Sequence, residues 1–378
     1  YLAHGLYIVP LLTQTAELTG SEGLTFLICT TAGAVMAWVR LGKAALPRWC
    51  PVYLTALWVF ALGFGAYRLY GPQPKTQTLH VALIQANIGS LEKLKARFGY
   101  TNRVRYTIEK YHSLTQETLD SGKPIDLVVW PETAMPFTVS HSFGYAAQLK
   151  RKVLKWDIPL ITGGYTPVPA EPGRDYNAAV LLEPQAGQIK QQIYRKNILL
   201  AFGEYFPGGD FYPKLYKWFP QVSNFKRGTE QNSVTLSNGI RLGVTICYEA
   251  IVPEFFRKVT RNGVQAVVNL TNDSWFGPTS EPYQHAALAT FRSIEHRVPM
   301  VRVTNTGRSF VVDSFGRMSD TTPVYEEGAL VESVDVPVTA PWTLYGQFGN
   351  WFMLLCAGCL AGFYFWRRKC THTFSNPS

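Results

Sequence analysis

Three reactive side chains each follow a predicted strand in the middle of the chain. Glu132 comes just after the apolar run 125–130, and Cys247 comes just after the run 241–246. Lys196 ends the second strand of a predicted hairpin. In open α/β sheets ligands bind beyond the carboxyl ends of strands, so these positions are where chemistry is normally placed. A thiol, a carboxylate and an ammonium group brought together predict an acyl-transfer site.

The chemistry gives each of these groups a role. A cysteine thiol is only slightly ionised at neutral pH, so Cys247 needs an adjacent base to act as a nucleophile. Glu132 can accept that proton and later return it to a leaving group. Lys196 can stabilise the oxyanion of a tetrahedral intermediate. Each residue taken singly also has a structural interpretation, as a helix-terminal carboxylate, a surface charge or a small core residue. The residue types alone leave both interpretations open.

The elements that must position these groups alternate between helices and strands. The pattern predicts helices at 91–119, 253–261 and 284–297. It predicts strands at 79–85, 125–130, 158–162, 178–182, 188–195, 241–246, 266–270, 300–303 and 309–312. Short apolar runs such as IDLVVW favour strands that are buried on both faces. The sequence therefore predicts an α/β domain with a mixed sheet.

Three apolar segments lie outside this domain, at 23–39, 49–67 and 351–366. A helix needs about 20 apolar residues to span a bilayer, so each segment is predicted to be a transmembrane helix rather than a buried core helix. The prediction divides the chain into N-terminal transmembrane helices at 1–78, a catalytic domain at 79–337, and a C-terminal transmembrane helix with its tail at 338–378. Because the chain opens without Met on an apolar run, its N-terminal part is predicted to be incomplete.

The placement of charge predicts a topology. The chain carries a net charge of +10, yet residues 79–337 hold 28 Lys and Arg against 24 Asp and Glu. Basic residues gather instead at Arg40, Lys43 and Arg48 and at 367–369, which the positive-inside rule places in the cytoplasm. The catalytic domain is then expected on the outer, periplasmic side. The domain has no basic excess, so nucleic acid is not expected as a partner.

The six cysteines do not form a disulfide framework. Five of them lie in or beside the apolar segments, and Cys247 stands alone in the predicted catalytic domain. This isolation favours a reactive thiol at Cys247.

Four separate motifs resemble the nitrilase superfamily. They are, in chain order, 126–137 (DLVVWPETAMPF), 194–207 (YRKNILLAFGEYFP), 243–249 (GVTICYE) and 272–277 (NDSWFG). Within that superfamily they resemble the bacterial apolipoprotein N-acyltransferase family. The resemblance runs from about residue 81 to about residue 316 and continues into the apolar flanks.

This resemblance implies a nitrilase-like αββα sandwich flanked by transmembrane helices. Six residues match the family's site: the triad Glu132, Lys196 and Cys247, the second glutamate Glu204, and the supporting Tyr248 and Glu249.

The resemblance also implies a reaction in two steps, with no metal, nucleotide or other cofactor. Cys247 takes a fatty acyl group from a membrane phospholipid as a thioester. The α-amine of a diacylated lipoprotein then accepts it at the bacterial inner membrane. The alternative is a membrane-anchored amidase or nitrilase-type hydrolase, which would use the same triad with water as the acceptor.

Aromatic residues near the site have two interpretations. The segment 201–219 holds eight of them, including Tyr205 and Phe206, and Trp275 and Phe276 form a second group. Part of the segment is expected to be ordinary core. The rest could instead cover the site or contact lipid, because Tyr and Trp favour the membrane interface.

His285 is a rival candidate for the catalytic base. No serine nucleophile or carboxylate pattern accompanies it in the sequence. A structural, hydrogen-bonding role is therefore favoured.

Overall fold

The computed structural model describes residues 2–42, 46–89, 101–141, 143–169, 171–229 and 233–373. Its helices are α1 (Pro10–Thr13), α2 (Ala16–Thr19), α3 (Ser21–Leu41), α4 (Trp49–Tyr70), α5 (Thr101–Leu119), α6 (Gly144–Trp156), α7 (Lys214–Trp218), α8 (Pro253–Thr260), α9 (Glu281–His296), α10 (Leu344–Phe348) and α11 (Trp351–Thr373). Its strands are β1 (Thr76–Gln85), β2 (Leu127–Val129), β3 (Leu160–Pro167), β4 (Asp175–Gln185), β5 (Gln188–Arg195), β6 (Ser233–Thr235), β7 (Arg241–Ile246), β8 (Ala266–Thr271), β9 (Met300–Thr304), β10 (Phe310–Val312) and β11 (Gly328–Pro337).

The chain divides into two compact units. The first comprises Tyr1–Pro72, Ile294–Arg297 and Trp342–Ser378, and the second comprises Gln73–Ser293 and Val298–Pro341. The three-part division at residues 78 and 337 stays a prediction.

Two mixed sheets form the second unit. The first has the strand order β11-β1-β2-β3-β4-β5, in which β1, β2 and β3 run parallel. The second has the order β10-β9-β8-β7-β6, in which β7, β8 and β9 run parallel. Strand β2 ends just before Glu132, and β7 ends just before Cys247. Each sheet therefore presents one of the predicted reactive groups at the carboxyl end of a parallel strand.

The alternation along β1 explains how the layers stack. Leu79, Val81 and Leu83 lie in a buried cluster shared with β7, β8 and β9, whereas Ala82 and Ile84 lie in a second cluster shared with α5 and α6. Successive side chains of a strand point to opposite faces, so the first cluster lies between the sheets and the second lies under the helices. Apolar residues of α8 and α9 cover the second sheet. The predicted αββα sandwich is confirmed.

Three differences between the predicted elements and the structure concern the sheets. The strand pattern indicated one mixed sheet, and the structure has two. Strand β3 continues through Gly163 and Gly164 instead of ending at residue 162. Strand β11 was not predicted, because its GALVESVDVP sequence mixes charged and apolar residues; it pairs with β1 at the edge of the first sheet. The helix predicted at 91–119 is described from Thr101 onward, and its residues 91–100 lie outside the described residues.

Among the described residues of the first unit, α3 and α4 are long and apolar enough to cross a membrane. Only 11% of the most hydrophobic window of each helix is buried, whereas the core helix of a soluble protein is mostly buried. Helix α11 does not meet the same criterion. It begins at Trp351, after Gly349 with its positive φ of 58°, and reaches charged residues at Arg367. A third span stays a prediction, and Lys43 of the predicted cytoplasmic loop lies outside the described residues.

Candidate active site

Glu132 lies beyond the end of β2 and is fixed by a close approach of two backbone segments. Thr133 has a positive φ of 50°, which turns the chain at the end of the strand. A Cβ atom on Gly163 of β3 would lie 2.6 Å from the carbonyl oxygen of Pro131 and 2.7 Å from the Cα of Glu132. Glycine at position 163 therefore lets β3 pass this close to the Glu132 segment. Glu132 itself is only 6% exposed.

Lys196 lies directly after β5 and is bound by two carboxylates. Its Nζ lies 3.2 Å from Oε1 of Glu132 and 2.9 Å from Oε2 of Glu204. Asn177 of β4 donates to the same two groups, since its Nδ2 lies 2.7 Å from Glu132 Oε1 and 2.8 Å from Glu204 Oε1. The backbone N–H of Leu200 also donates to Glu204, at 2.8 Å. These donors hold two like charges side by side around a lysine that is 1% exposed.

The electrostatics of this cluster suit a fixed cation beside a base. Burial alone would lower the pKa of Lys196, but Glu132 and Glu204 raise it well above its usual range. Lys196 therefore keeps its charge inside the protein. Burial raises the pKa of Glu132, Lys196 opposes this rise, and Glu204 adds to it. A carboxylate with a raised pKa accepts a proton near neutral pH better than an ordinary one.

Cys247 opens a 3₁₀ turn at the end of β7 in a strained backbone conformation. The turn spans Cys247–Ile251, and the φ of Cys247 is 52°, a region that residues other than glycine rarely occupy. Burial raises the pKa of the Cys247 thiol well above its usual range, Glu132 adds to the rise, and Lys196 opposes it. The thiol is therefore neutral at physiological pH and needs a base. The structure joins Lys196, Glu132 and Glu204 in one ion-paired cluster, and the charges of all three shift the pKa of the Cys247 thiol.

Glu249 joins the segment that carries the lysine to the segment that carries the cysteine. Its buried carboxylate accepts hydrogen bonds of 2.6–2.9 Å from the N–H groups of Asn197, Ile198 and Ile246 and from the hydroxyl of Tyr194. Burial raises the pKa of Glu249 to about 7. Because two of these donors follow the lysine and one precedes the cysteine, a single side chain sets the spacing between the two segments.

Sequence comparisons place this site in a family. The family described as Carbon-nitrogen hydrolase matches residues 80–343. The apolipoprotein N-acyltransferase of Geobacter metallireducens is 33% identical over 371 residues, which cover 96% of this chain and 68% of that protein. The chain belongs to the apolipoprotein N-acyltransferase family. The apolipoprotein N-acyltransferase of Bdellovibrio bacteriovorus is 34% identical over 366 residues, which cover 92% of this chain and 66% of that protein. The chain thus spans about two thirds of the length of these two relatives.

The solved structures show the fold. A Saccharomyces cerevisiae member of branch 10 of the nitrilase superfamily matches with a TM-score of 0.51 and 18% sequence identity. The match covers 70% of this chain and 92% of that one. The second unit of this apolipoprotein N-acyltransferase family member therefore has the nitrilase-like fold that its motifs predicted.

The residues predicted to contact lipid lie at the surface of this family member. Trp275 is 69% exposed and Phe276 is 40% exposed, while Tyr205 and Phe206 are half-buried. Tyr248, which follows the cysteine, is also exposed. None of the eight aromatic residues in 201–219 is buried, so the expectation that part of this segment is ordinary core is wrong. The segment lies outside both sheets, and its rings are exposed or half-buried.

A second group of charged residues lies near the cysteine. Nδ1 of His285 lies 3.1 Å from Oδ1 of Asp273, and Nη2 of Arg302 lies 3.2 Å from Oδ2 of the same carboxylate. His285 thus makes the kind of hydrogen bond that a structural role requires. Asp273, Glu281 and His285 place possible metal-ligand atoms within 4.8 Å of one another. The guanidinium on Asp273 opposes a cation there, and the expectation of a reaction without a metal stays a prediction.

Sequence reasoning missed Asn177 and Tyr194 in this acyltransferase family member. Both side chains are buried, and each binds a carboxylate of the site. The sequence could have indicated Asn177, because this residue begins the apolar run NAAVLL and a buried amide needs hydrogen-bond partners. It could not have indicated Tyr194, since nothing in the motif around Tyr194 shows that it meets Glu249, 55 residues further along the chain.

Proposed function

We propose that this protein is an N-acyltransferase that moves a fatty acyl group from a membrane phospholipid to the α-amine of the diacylglyceryl cysteine of an apolipoprotein. The observation that carries the proposal is the buried cluster of Lys196, Glu132 and Glu204 beside the strained thiol of Cys247. The names of the curated relatives support a lipoprotein as the acceptor.

In the first half-reaction the thiol attacks an ester carbonyl of the phospholipid. Glu132 accepts the thiol proton as the C–S bond forms. The ammonium group of Lys196 stabilises the oxyanion of the tetrahedral intermediate. When that intermediate collapses, the ester C–O bond breaks and Glu132 returns the proton to the departing lysophospholipid oxygen. Cys247 is left as an acyl thioester.

In the second half-reaction the free α-amine of the lipoprotein cysteine attacks the thioester carbonyl. Glu132 takes a proton from the attacking nitrogen and delivers it to the sulfur of Cys247 as the C–S bond breaks. The product is an amide, and the free thiol is regenerated. The same base and the same oxyanion site serve both steps.

The surroundings of the site favour an amine over water as the acceptor. The aromatic segment 201–219 contains Glu204 and so begins at the active site. Phe202, Phe211 and Trp218 of this segment present exposed rings. A thioester is open to hydrolysis, so an acyltransferase must exclude water and orient its acceptor. Acyl chains laid against these rings would do both.

The test separates acyl transfer from hydrolysis. Detergent-solubilised protein incubated with phospholipid alone should release about one equivalent of lysophospholipid and hold the acyl group on Cys247, seen by mass spectrometry. Addition of a diacylglyceryl-cysteine peptide should start continuous turnover to an amide. Continuous hydrolysis of phospholipid or of a simple amide without any acceptor would replace this proposal with the amidase alternative.

We further propose that the protein is a multi-pass protein of the bacterial inner membrane, with its catalytic unit on the periplasmic side. The basic residues at 40–48 and 367–369 support this orientation through the positive-inside rule. In sealed cells an impermeant reagent should label a tag in a surface loop of the second unit and miss a tag after residue 378. Equal labelling of both tags would contradict the topology.

A further inference from the structure

We infer that Asn269 and Arg302 are positioning residues that hold the backbone of Cys247 in its strained conformation. The inference rests on the proposed role of Cys247 as the nucleophile.

The amide of Asn269 bridges the end of β7 and the cysteine turn. Asn269 is fully buried in β8, the parallel neighbour of β7. Its Nδ2 lies 3.1 Å from the hydroxyl and 3.3 Å from the carbonyl oxygen of Thr245, and 3.4 Å from the carbonyl oxygen of Cys247. One NH₂ group therefore donates both to Thr245, near the end of β7, and to Cys247, the first residue of the turn.

Arg302 fixes the orientation of this amide. Nη1 of Arg302 lies 2.7 Å from Oδ1 of Asn269, and the hydroxyl of Thr271 donates to the same oxygen at 2.9 Å. A guanidinium has donors and no acceptor, so only the amide oxygen can face it. The NH₂ group must then face the carbonyl of Cys247.

A carboxylate holds the arginine in place. Arg302 lies on β9 with no exposed surface, and its Nη2 lies 3.2 Å from Oδ2 of Asp273. The other oxygen of this carboxylate, Oδ1 of Asp273, lies 3.1 Å from Nδ1 of His285. A buried charge is stable only when it is paired and hydrogen-bonded, so this arginine has one well-defined position. The chain of contacts crosses three parallel strands and ends at the Cys247 carbonyl.

This support matters because the φ of Cys247 is 52°. A residue other than glycine stays in that region only where the surrounding structure holds it there. If the donor to its carbonyl is lost, the turn can relax and move the sulfur away from Glu132 and Lys196. A displacement of about 1 Å in a reacting group can cost about 10²-fold in rate.

The experiment compares two matched changes of a buried amide to an acid. Asn269→Asp removes the donor to the Cys247 carbonyl. Gln265→Glu is the control, because Gln265 is a buried amide just before β8 that donates to the carbonyls of Pro337 and Val338 at 2.9 Å. The measurements on detergent-solubilised protein are kcat, KM, the melting temperature, and the rate at which iodoacetamide alkylates the Cys247 peptide.

We expect Asn269→Asp to lower both kcat and the alkylation rate by about 10²-fold, with little change in KM. Gln265→Glu should lower the melting temperature comparably and leave Cys247 reactivity unchanged. Arg302→Lys keeps the charge but cannot contact Asn269 and Asp273 at once, so it should reproduce the Asn269→Asp pattern; it decides the test if Asn269→Asp does not fold.

Wild-type alkylation rates in folded Asn269→Asp or Arg302→Lys would overturn the inference, as would an equal loss in Gln265→Glu. Alkylation needs no lipid, so this result is independent of the proposed function. A wild-type protein that forms no acyl-Cys247 with phospholipid would overturn the proposed function instead.

Discussion

The buried charged cluster and the exposed aromatic segment 201–219 share Glu204 but are built in opposite ways. In the cluster, Lys196, Glu132 and Glu204 are fixed by short hydrogen bonds and by Asn177. In the segment, rings contact one another, as when Phe206 stacks on Phe219 with the ring centroids 5.2 Å apart. The buried cluster thus fixes the positions of charged groups, whereas the aromatic segment presents apolar surface at which a ligand can bind.

This difference separates two kinds of specificity. The fold of the second unit is shared with a solved protein of the nitrilase superfamily. The exposed rings are where we propose that the lipid binds. Changes in the cluster should therefore lower kcat, and changes in the aromatic surface should raise KM.

The largest effect is expected from Cys247→Ala. Removal of the nucleophile should lower kcat by at least about 10⁴-fold, because a nucleophile and its supporting groups act as a unit. Phospholipid binding should persist, since the exposed rings remain. Turnover and binding to phospholipid vesicles are the measurements, with an unchanged melting temperature as the control. Substantial turnover by the folded variant would refute the assignment of the nucleophile.

Glu249→Gln should have the next largest effect. The new NH₂ group would face N–H and O–H donors, leaving at least one of them without an acceptor, at a cost of about 1–3 kcal/mol. The lysine and cysteine segments would then separate, and we expect about a 10²-fold loss in kcat. Glu254→Gln, a surface change on α8, is the control. Equal kcat values in these two variants would show that Glu249 does not set the spacing.

Much of the active site was readable from the sequence because its members stand at strand ends. Glu132 and Cys247 come within two residues of the end of an apolar run, and a polar residue at the end of a strand lies at the edge of its sheet. The strand β7 was predicted at its observed bounds, since both of its faces are buried. The family assignment and the αββα architecture, predicted from four motifs, were confirmed.

Contacts between distant segments were not readable in the same way. Asn177 meets Glu132 across 45 residues, and Asn269 meets Arg302 across 33. Such pairs depend on the order of the strands in the sheet, and the hydrophobic periodicity of a sequence does not show that order. The burial of the aromatic segment was predicted wrongly for a related reason. Apolar composition predicts burial only where another layer covers the segment, and the rings of residues 201–219 are exposed or half-buried.

Trp275→Ala should have a smaller effect, on binding rather than chemistry. Its ring is largely exposed, and burying such a ring against an acyl chain is worth roughly 1.5–3 kcal/mol, so KM for phospholipid should rise about 10- to 100-fold. The alkylation rate of Cys247 should not change. Tyr106→Ala, which removes an exposed ring on α5, is the matched control. A fall in kcat with KM unchanged would place Trp275 among the groups that act on the chemistry.

The smallest change is a shift in the pH at which Cys247 ionises, and it tests the charged cluster with no turnover at all. The negative charge of Glu204 raises the pKa of this thiol, and the positive charge of Lys196 lowers it. Glu204→Gln should therefore move the midpoint of the alkylation rate against pH downward, and Lys196→Met should move it upward. Iodoacetamide labelling of the Cys247 peptide across a pH series measures both midpoints, with Glu254→Gln as the control. Because the two substitutions remove charges of opposite sign, their shifts must have opposite signs if the cluster acts on the sulfur through its charges. Shifts in the same direction would mean that the substitutions act by opening the site to water. The buried cluster would then not be a fixed interior region distinct from the aromatic segment with which it shares Glu204.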